Sequence, residues 1–311
     1  MFNNFSNKKL IIVFSVLLVV VVLMFLIDSN PNESTFKKDI IDINKNDITS
    51  ILIYPKVTNH KEVKLYKQGN DWFVNLENGK TASVPQEKVD GLLDSFDKMR
   101  PTRIVTKSPD KWSAFQVDTS GTQVKVYEGD DLTLDIVLGR YIFKQNRTFS
   151  SYFKLYDEND VYEVDGLLSI TFNQNANFFR DFHLVFDSYN NWDKVIFTYP
   201  ADSSFTLVKK DNDWTISAIK TDSAKTANYL NSLSTLTNSN FEDNLDKSLL
   251  SKAYYTITIE SKEKGTITIS SFGEDENAII HSSMRPEVYF KAGAKIFMDR
   301  TFVGKRSFFS N

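Results

Sequence analysis

The sequence predicts an α+β protein in which an N-terminal transmembrane helix is followed by two tandem repeats of antiparallel sheet, each covered by an amphipathic helix. Three observations lead to this prediction. Residues 10–27 form an uncharged apolar run of 18 residues, LIIVFSVLLVVVVLMFLI. The stretches KQGNDWFVN (67–75) and KKDNDWTIS (209–217) resemble each other. Around both copies, short alternating apolar segments are separated by polar turns, which favours antiparallel strands.

The composition allows a folded core and excludes several kinds of site. Hydrophobic residues make up 41% and charged residues 25% of the chain, as in ordinary globular proteins. Aromatic residues reach 14%, with 25 Phe, which favours strands. Because Cys is absent, the chain has no disulfide, thiolate nucleophile or Cys-ligated zinc. Charges of both signs are interspersed without a basic stripe, so no nucleic-acid partner is predicted.

Residues 10–27 are predicted to cross a membrane as an uncleaved signal-anchor. Eighteen helical residues rise about 27 Å, close to the thickness of a hydrocarbon core. Lys8 and Lys9 precede the run, and no Lys or Arg follows before Lys37, which places the N-terminus in the cytoplasm. The alternative, a cleaved signal peptide, is disfavoured because the run is long and FLIDSNP offers no small-x-small cleavage site. The expected segments are 1–9 cytoplasmic, 10–27 transmembrane and 28–47 juxtamembrane.

The rest of the chain is predicted to be a duplication. In each copy an apolar β-branched segment ends in Tyr-Pro, and an alternating strand then leads into Asn-Asp-Trp. A helical spacing of apolar residues follows in both copies. Later segments match in the same order, such as TQVKVYEGDDLTLDIVLG (122–139) and YTITIESKEKGTITISSFG (255–273). We therefore expect a first α+β repeat at 48–187 and a second, shorter one at 188–311.

Four residues mark equivalent places in the two repeats. The sequence separation of matching residues falls from 142 at Trp72 and Trp214 to 120 at Arg180 and Arg300. Both Trp residues follow turn-forming Asn-Asp pairs and open a strand, so they are expected to pack in the core. The two Arg residues, the first of them beside Asp181, each lie at the end of a repeat and are expected to form a fixed ion pair or to bind carbonyls at the repeat junction. We interpret all four as structural markers.

No catalytic, cofactor-binding or metal site is predicted. The three His residues, His60, His183 and His281, have no partners at metal-ligand spacing, and no H-E-x-x-H occurs. No G-x-S-x-G elbow presents a nucleophile, and no glycine-rich loop could cradle a nucleotide. The chain is therefore expected to be non-enzymatic. A carboxylate pair assembled only by the fold is the alternative that the sequence leaves open.

One segment, RYIFKQNRTF at 140–149, is a candidate partner-binding hairpin. In it Arg140, Lys144 and Arg147 are interleaved with three aromatic residues, Tyr141, Phe143 and Phe149. Arg and aromatic residues are enriched where proteins bind each other, so the hairpin could dock on an anionic lipid headgroup, a glycan or a partner subunit. The structural interpretation has its aromatic residues facing the core and its cations facing water. The shorter equivalent segment in the second repeat favours that interpretation.

An ordered set of segments resembles a known family. The set comprises FKKDIIDINKNDITSILI, NDWFV, VPQEKVDGLLDSF, LDIVLG, the basic-aromatic hairpin, DVYEV and FFRDFHLVF. It resembles bacterial envelope proteins of the domain-of-unknown-function family 4340, best over residues 36–187. The resemblance implies an extracytoplasmic accessory part of a membrane complex, encoded beside ABC-2-type transporter subunits and gliding-motility proteins. It implies no active site.

The apolar run, the duplication and the resemblance together predict a non-enzymatic, single-pass protein of the bacterial inner membrane with a periplasmic C-terminal domain. Its expected role is a scaffold or accessory subunit of an ABC-2-type, gliding-motility-like transporter complex. Permease or gliding-type membrane subunits are the expected partners, and ATP hydrolysis would belong to another chain. Two alternatives remain open: an envelope enzyme or receptor for cell-wall glycan or another small ligand, and an assembly factor for unfolded or secreted protein.

Overall fold

The computed structural model describes residues 13–20, 40–145 and 147–310. The chain divides into two compact units, and the division falls between Arg180 and Asp181. Each unit is built on one antiparallel sheet with a hydrophobic core on one of its faces.

Among the described residues of the first unit, nine strands form a sheet in the order β4-β3-β2-β1-β6-β7-β8-β9-β5. The strands are β1 (Ile48–Tyr54), β2 (Val63–Gln68), β3 (Asp71–Asn75), β4 (Thr81–Val84), β5 (Pro101–Thr106), β6 (Thr122–Glu128), β7 (Asp131–Phe143), β8 (Phe149–Leu155) and β9 (Val161–Asp165). Strand β5 crosses to the far edge of the sheet, where it pairs with β9.

Helices pack on both faces of this sheet. They are α1 (Gln86–Asp97), α2 (Trp112–Phe115), α3 (Leu168–Phe172) and α4 (Ala176–Phe179). Helix α1 buries four apolar side chains at helical spacing, Val89, Leu92, Leu93 and Phe96. The Phe96 ring lies 5.1 Å from that of Phe172 in α3, so α1 and α3 pack together over the main core.

A second, smaller apolar cluster lies around β7, β8 and the segment that contains α2. It consists of Val117, Val137, Tyr152 and Val161, with Trp112 and Phe115 packed against it. The Phe115 ring meets the Tyr152 ring edge-on at 4.8 Å between centroids. This contact holds the segment that contains α2 close to β7, where the candidate site described below is found.

Eight strands form the sheet in the described part of the second unit, in the order β13-β12-β11-β10-β14-β15-β16-β17. They are β10 (Trp192–Thr198), β11 (Phe205–Lys210), β12 (Asp213–Ile216), β13 (Ile219–Lys220), β14 (Tyr255–Ser261), β15 (Gly265–Phe272), β16 (Ile279–Ser282) and β17 (Tyr289–Lys291). Its helices are α5 (Ser223–Ser234) and α6 (Lys295–Thr301). The segment 181–187, which the sequence analysis assigns to the first repeat, contributes Leu184 and Val185 to the core of this unit.

The two sheets repeat the same rows of buried residues. One row of cross-strand neighbours in the first sheet is Leu65, Ile51, Val126 and Leu134. Its counterpart in the second sheet is Leu207, Val195, Ile259 and Ile267. Both central strands also carry a register shift near their start, beside Ile48 in β1 and Trp192 in β10. The extra residue explains why Ile48 and Ile51, three positions apart, are both buried.

The segment that follows the long helix reaches the far sheet edge in both units. In the first unit it forms β5. In the second it is irregular, but Phe241 makes a bridge with Phe290 of β17. Lys291 N donates to Asn240 O at 2.8 Å, and Glu242 N donates to Tyr289 O at 2.8 Å. The edge of β17 is therefore partly hydrogen-bonded by this segment.

The α+β class predicted from the sequence is wrong, because the described chain consists mostly of two large antiparallel sheets with few helices. Helices α1 and α5 lie where amphipathic helices are expected, but each has only 12 residues. The other labelled helices are shorter still. Periodicity is a local signal, and it does not show that two groups of strands join through β1 and β6, or β10 and β14, into one wide sheet.

The predicted transmembrane helix over 10–27 is also corrected. In the described parts of the chain, no helix is long and apolar enough to cross a membrane. The helical stretch described there covers residues 13–20, and eight residues rise only about 12 Å. The rest of the predicted anchor, 10–12 and 21–27, the cytoplasmic segment 1–9 and most of the juxtamembrane segment lie outside the described residues.

Candidate functional site

The β7–β8 hairpin contains an irregularity that shapes its surroundings. Pairing between the two strands shifts register between Leu138 and Tyr141, so Gly139 and Arg140 lie in a β-bulge. A Cβ atom on Gly139 would lie 2.1 Å from the carbonyl oxygen of Phe115. Only glycine therefore allows the segment that contains α2 to approach the bulge this closely. A bulge turns the side chain that follows away from its usual direction.

The side chain of Arg140 is held by the segment that contains α2. Its Nε donates a hydrogen bond to the carbonyl oxygen of Ala114 at 2.8 Å. Its guanidinium carbon lies 5.3 Å from the centroid of the Tyr152 ring, in range for a cation–π contact. Arg140 therefore has a fixed position at the bulge.

Lys144 is engaged in an ion-pair network near the hairpin tip, centred on the buried Glu163. Its Nζ lies 2.8 Å from Glu163 Oε1 and 3.0 Å from Asp165 Oδ1. Glu163, whose side chain is 3% exposed, also accepts hydrogen bonds from Arg103 at 2.9 and 2.6 Å. Burial works to raise the pKa of Glu163, but the hydrogen bonds from Lys144 and Arg103 outweigh it and hold that pKa below its ordinary value. The carboxylate is therefore ionised, and its partners tie the hairpin to β5 and β9.

The aromatic side chains of the hairpin face outwards. Tyr141, Phe143 and Phe149 are 46%, 62% and 36% exposed. The Phe149 ring lies 5.1 Å from that of Phe143 and 6.3 Å from that of Tyr141. We call these three side chains the hairpin aromatic patch. The exposed aromatic residues depart from the structural interpretation, whereas the exposed cations Arg140 and Arg147 agree with it.

A cleft of about 300 Å³ opens where β7 bulges. We call it the bulge cleft. Its polar lining consists of Lys56, Gln116, Ser120, Thr122, Arg140, Tyr141, Ser169 and Asn173, and its remaining lining of Gly121, Leu138, Gly139 and Ile170. The lining contains two cations and no carboxylate.

The cations of the bulge cleft lack carboxylate partners in the described chain. Lys56 Nζ has Gln116 Oε1 as its hydrogen-bond partner, at 3.4 Å. The nearby carboxylate of Asp118 is occupied by Ser120, which donates from its backbone N at 3.0 Å and from its Oγ at 2.6 Å. These hydrogen bonds hold the pKa of Asp118 below its ordinary value, and the charge of Lys56 contributes to a smaller extent. The cleft thus presents positive charge.

Ser169 adds a polar atom without a partner. Its Oγ is buried and has no hydrogen-bond partner in the described chain. Buried polar atoms are almost always paired, so this hydroxyl is an exception beside the cleft. The neighbouring Asn173 is fixed, since its Oδ1 accepts from Val57 N at 2.9 Å.

The other sequence-predicted residues lie away from the hairpin. Trp72 is 4% exposed on β3, and Trp214 is half-buried on β12. Arg180 is 4% exposed at the end of α4 and donates from Nη1 to Asn177 Oδ1 at 3.1 Å. Arg300 is exposed on α6. The structure thus brings together the predicted residues of the hairpin, whereas Trp72 and Arg180 lie in the first unit and Trp214 and Arg300 in the second.

The predicted Asp181 contact involves partners that the sequence does not indicate. Asp181 forms an ion pair with Arg285, and its Oδ1 lies 2.8 Å from His183 Nδ1. His183 in turn forms a β-bridge with Thr237. In the described ranges, no group of three or more His, Asp or Glu side chains could hold a metal ion.

Most residues of the bulge cleft were not identified from the sequence. The lining comes from four separate segments, at Lys56, 116–122, 138–141 and 169–173, so no local spacing connects them. The one local signal is the Leu-Gly-Arg triplet at the end of an alternating strand, since glycine inside a strand often marks a bulge.

Comparisons with known proteins place the chain in a family. A search of curated proteins and a search of solved structures each found no match. A family model described as Domain of unknown function (DUF4340) matches residues 75–254, more than half of the 311 residues. The matched range includes the hairpin aromatic patch and most of the bulge cleft. The chain therefore belongs to the family of the domain of unknown function DUF4340.

Proposed function

We propose that this protein is a non-enzymatic binding protein that docks a protein partner through the hairpin aromatic patch. The observation that carries the proposal is the exposure of three neighbouring rings on a hairpin in which Arg140 and Lys144 are held by contacts within the same unit. Exposed aromatic clusters mark interaction surfaces, and aromatic residues dominate the binding energy of interfaces.

The rigidity of the hairpin supports this function. Arg140 is fixed by Ala114 and Tyr152, and Lys144 is fixed by Glu163 and Asp165. A surface that is already ordered loses little conformational entropy when it binds. The patch therefore suits stable docking better than transient contact.

We propose further that the partner is a membrane subunit of an ABC-2-type, gliding-motility-like transporter complex in the bacterial envelope. The resemblance to envelope proteins of this family supports that partner class and a periplasmic location. The duplicated sheet supports a scaffold role, since two similar units offer two similar surfaces.

Crosslinking of the full chain in native cells tests the proposal. A photoreactive phenylalanine analogue at position 143 is expected to crosslink a transporter permease or gliding-type subunit, identified by mass spectrometry. The double variant F143A/F149A is expected to abolish copurification of that subunit. The control Leu132→Ala, which removes an exposed apolar side chain elsewhere on β7, should not. Equal copurification with both variants would show that the patch is not the docking surface.

A further inference from the structure

The bulge cleft has the features of a small-ligand site, and it shares only Tyr141 with the hairpin aromatic patch. We propose that it binds one sugar unit that carries a carboxylate. Its volume of about 300 Å³ is at the lower end of the range for small-molecule sites. That size suits one sugar unit rather than an enclosed oligosaccharide.

The charge of the cleft selects an anion. Arg140 uses its Nε for Ala114 O, and its two terminal amino groups have no hydrogen-bond partner in the described residues. Those groups can still bind a planar carboxylate, which matches the guanidinium geometry. Lys56, which is exposed at the cleft, adds a second positive charge. No carboxylate of the cleft lining competes for either cation.

The remaining polar lining selects hydroxyl groups. Ser120, Thr122 and Asn173 supply hydroxyl and amide groups that both donate and accept hydrogen bonds. A simple anion such as acetate would neutralise the cations and leave these groups unused.

Tyr141 gives the cleft an apolar side. Its ring is 46% exposed and belongs to the lining. An aromatic ring offers an apolar face with a polar tip, which fits the carbon-bound hydrogens and the hydroxyls of a sugar ring. Positive charge, hydroxyl-binding groups and an apolar face together describe a uronic-acid type of ligand better than phosphate or a neutral sugar.

Isothermal titration calorimetry of the full chain with D-glucuronate as the probe tests this proposal. Glucuronate is expected to bind, and D-glucose, acetate and inorganic phosphate to bind at least about tenfold more weakly, because each lacks the charge or the hydroxyls. Affinity for glucuronate should fall as salt is added, since the cations are near solvent. Equal binding of glucose, acetate or phosphate, or no heat with glucuronate, would overturn the proposal.

Matched variants locate the site. Lys56→Gln is expected to weaken glucuronate binding about tenfold, because one charge-assisted contact is lost. The control Lys67→Gln removes an exposed charge elsewhere in the same unit and should change nothing. Equal effects of the two Lys variants would place binding outside the cleft. The F143A/F149A variant should retain glucuronate binding, so failure of the docking proposal and failure of this one are separate results.

Discussion

Glu163 and Tyr199 show two ways in which a polar side chain is buried in this protein. Glu163 meets two cations, Arg103 and Lys144, at hydrogen-bond distance. Tyr199 lies among the aromatic rings of the second core, with the Tyr255 ring at 5.0 Å, and its hydroxyl has no partner in the described chain. Burial raises the pKa of Tyr199, and the nearby Tyr255 raises it further. The hydroxyl therefore stays neutral at all ordinary pH values.

Removing the hydroxyl of Tyr199 should not weaken the fold. The variant Tyr199→Phe is expected to leave the free energy of unfolding unchanged or to raise it by up to about 1 kcal/mol, because an unpaired buried hydroxyl costs desolvation without returning a hydrogen bond. Urea denaturation measures the change. Tyr229→Phe is the matched control: its hydroxyl donates to Thr301 O at 2.8 Å, and its loss should cost about 1 kcal/mol. Equal losses in both variants would contradict this account.

The pH dependence of the free energy of unfolding should show how much the ionised Glu163 contributes to stability. Its pKa is lower in the folded than in the unfolded chain. The stability that it contributes is therefore complete above the unfolded value of about 4.3 and is lost as the pH falls through the folded pKa. Urea denaturation from pH 7 to pH 3 is expected to show a steeper loss in the wild type than in Glu163→Gln. Parallel curves would mean that Glu163 has the same pKa in both states.

At the scale of elements, the β-bulge at Gly139 and Arg140 is the feature on which the candidate site depends. It brings the segment that contains α2 against β7, and this contact creates one wall of the bulge cleft. The same segment supplies the carbonyl that holds Arg140. The β-bulge thus determines the positions of both the bulge cleft and the base of the exposed hairpin.

A methyl group at the bulge should disrupt this arrangement. In Gly139→Ala the new Cβ would meet the Phe115 carbonyl oxygen at 2.1 Å, so backbone must move. The free energy of unfolding is expected to fall by about 1–3 kcal/mol, measured by urea denaturation. Gly91→Ala is the control, since Gly91 lies in α1 with no atom within 4 Å of the added Cβ. The free energy of unfolding of Gly91→Ala should rise by about 0.5–1 kcal/mol. A neutral Gly139→Ala would show that the segment is not tightly packed there.

Single helices and turns could be predicted from the sequence, because they depend on residues that are close together in the chain. The apolar spacing from Val89 to Phe96 indicates the helix that the structure shows as α1, and the Asn-Asp-Trp turns lead into β3 and β12. The candidate cleft could not be predicted, because its four segments meet only through the pairing of strands and the bulge. The outward orientation of Phe143 also depends on that bulge. The transmembrane helix predicted over 10–27 is not supported, because the described part of that run is a helix of only eight residues, 13–20.

At the scale of the whole molecule, each unit has its own core. The core of the second unit contains only residues from Leu184 to Phe308. It begins before the repeat boundary predicted at 188, because Asp187 Oδ2 accepts a hydrogen bond from Trp192 Nε1 at 2.7 Å and Asp181 pairs with Arg285. The segment 181–187 is thus an integral part of the second unit.

The second unit is expected to fold alone when the chain begins at residue 181. A fragment of residues 181–311 should give a β-rich circular dichroism spectrum and a single cooperative urea transition. A fragment of residues 188–311 lacks Leu184 and Val185, and the burial of each contributes about 1.5–3 kcal/mol. It should be unfolded or several kcal/mol less stable. Equal stability of the two fragments would show that the segment 181–187 is dispensable.

The segment that follows the long helix in each unit lowers the tendency of the protein to aggregate. Unpaired strand edges act as templates for intermolecular pairing and aggregation. In the first unit β5 covers the edge of β9, and in the second the residues around Phe241 cover the edge of β17. The opposite edges are the short strands β4 and β13, of four and two residues. Because each sheet has one covered edge and one short edge, few strand edges remain on which one copy of the protein could start amyloid-like pairing with another.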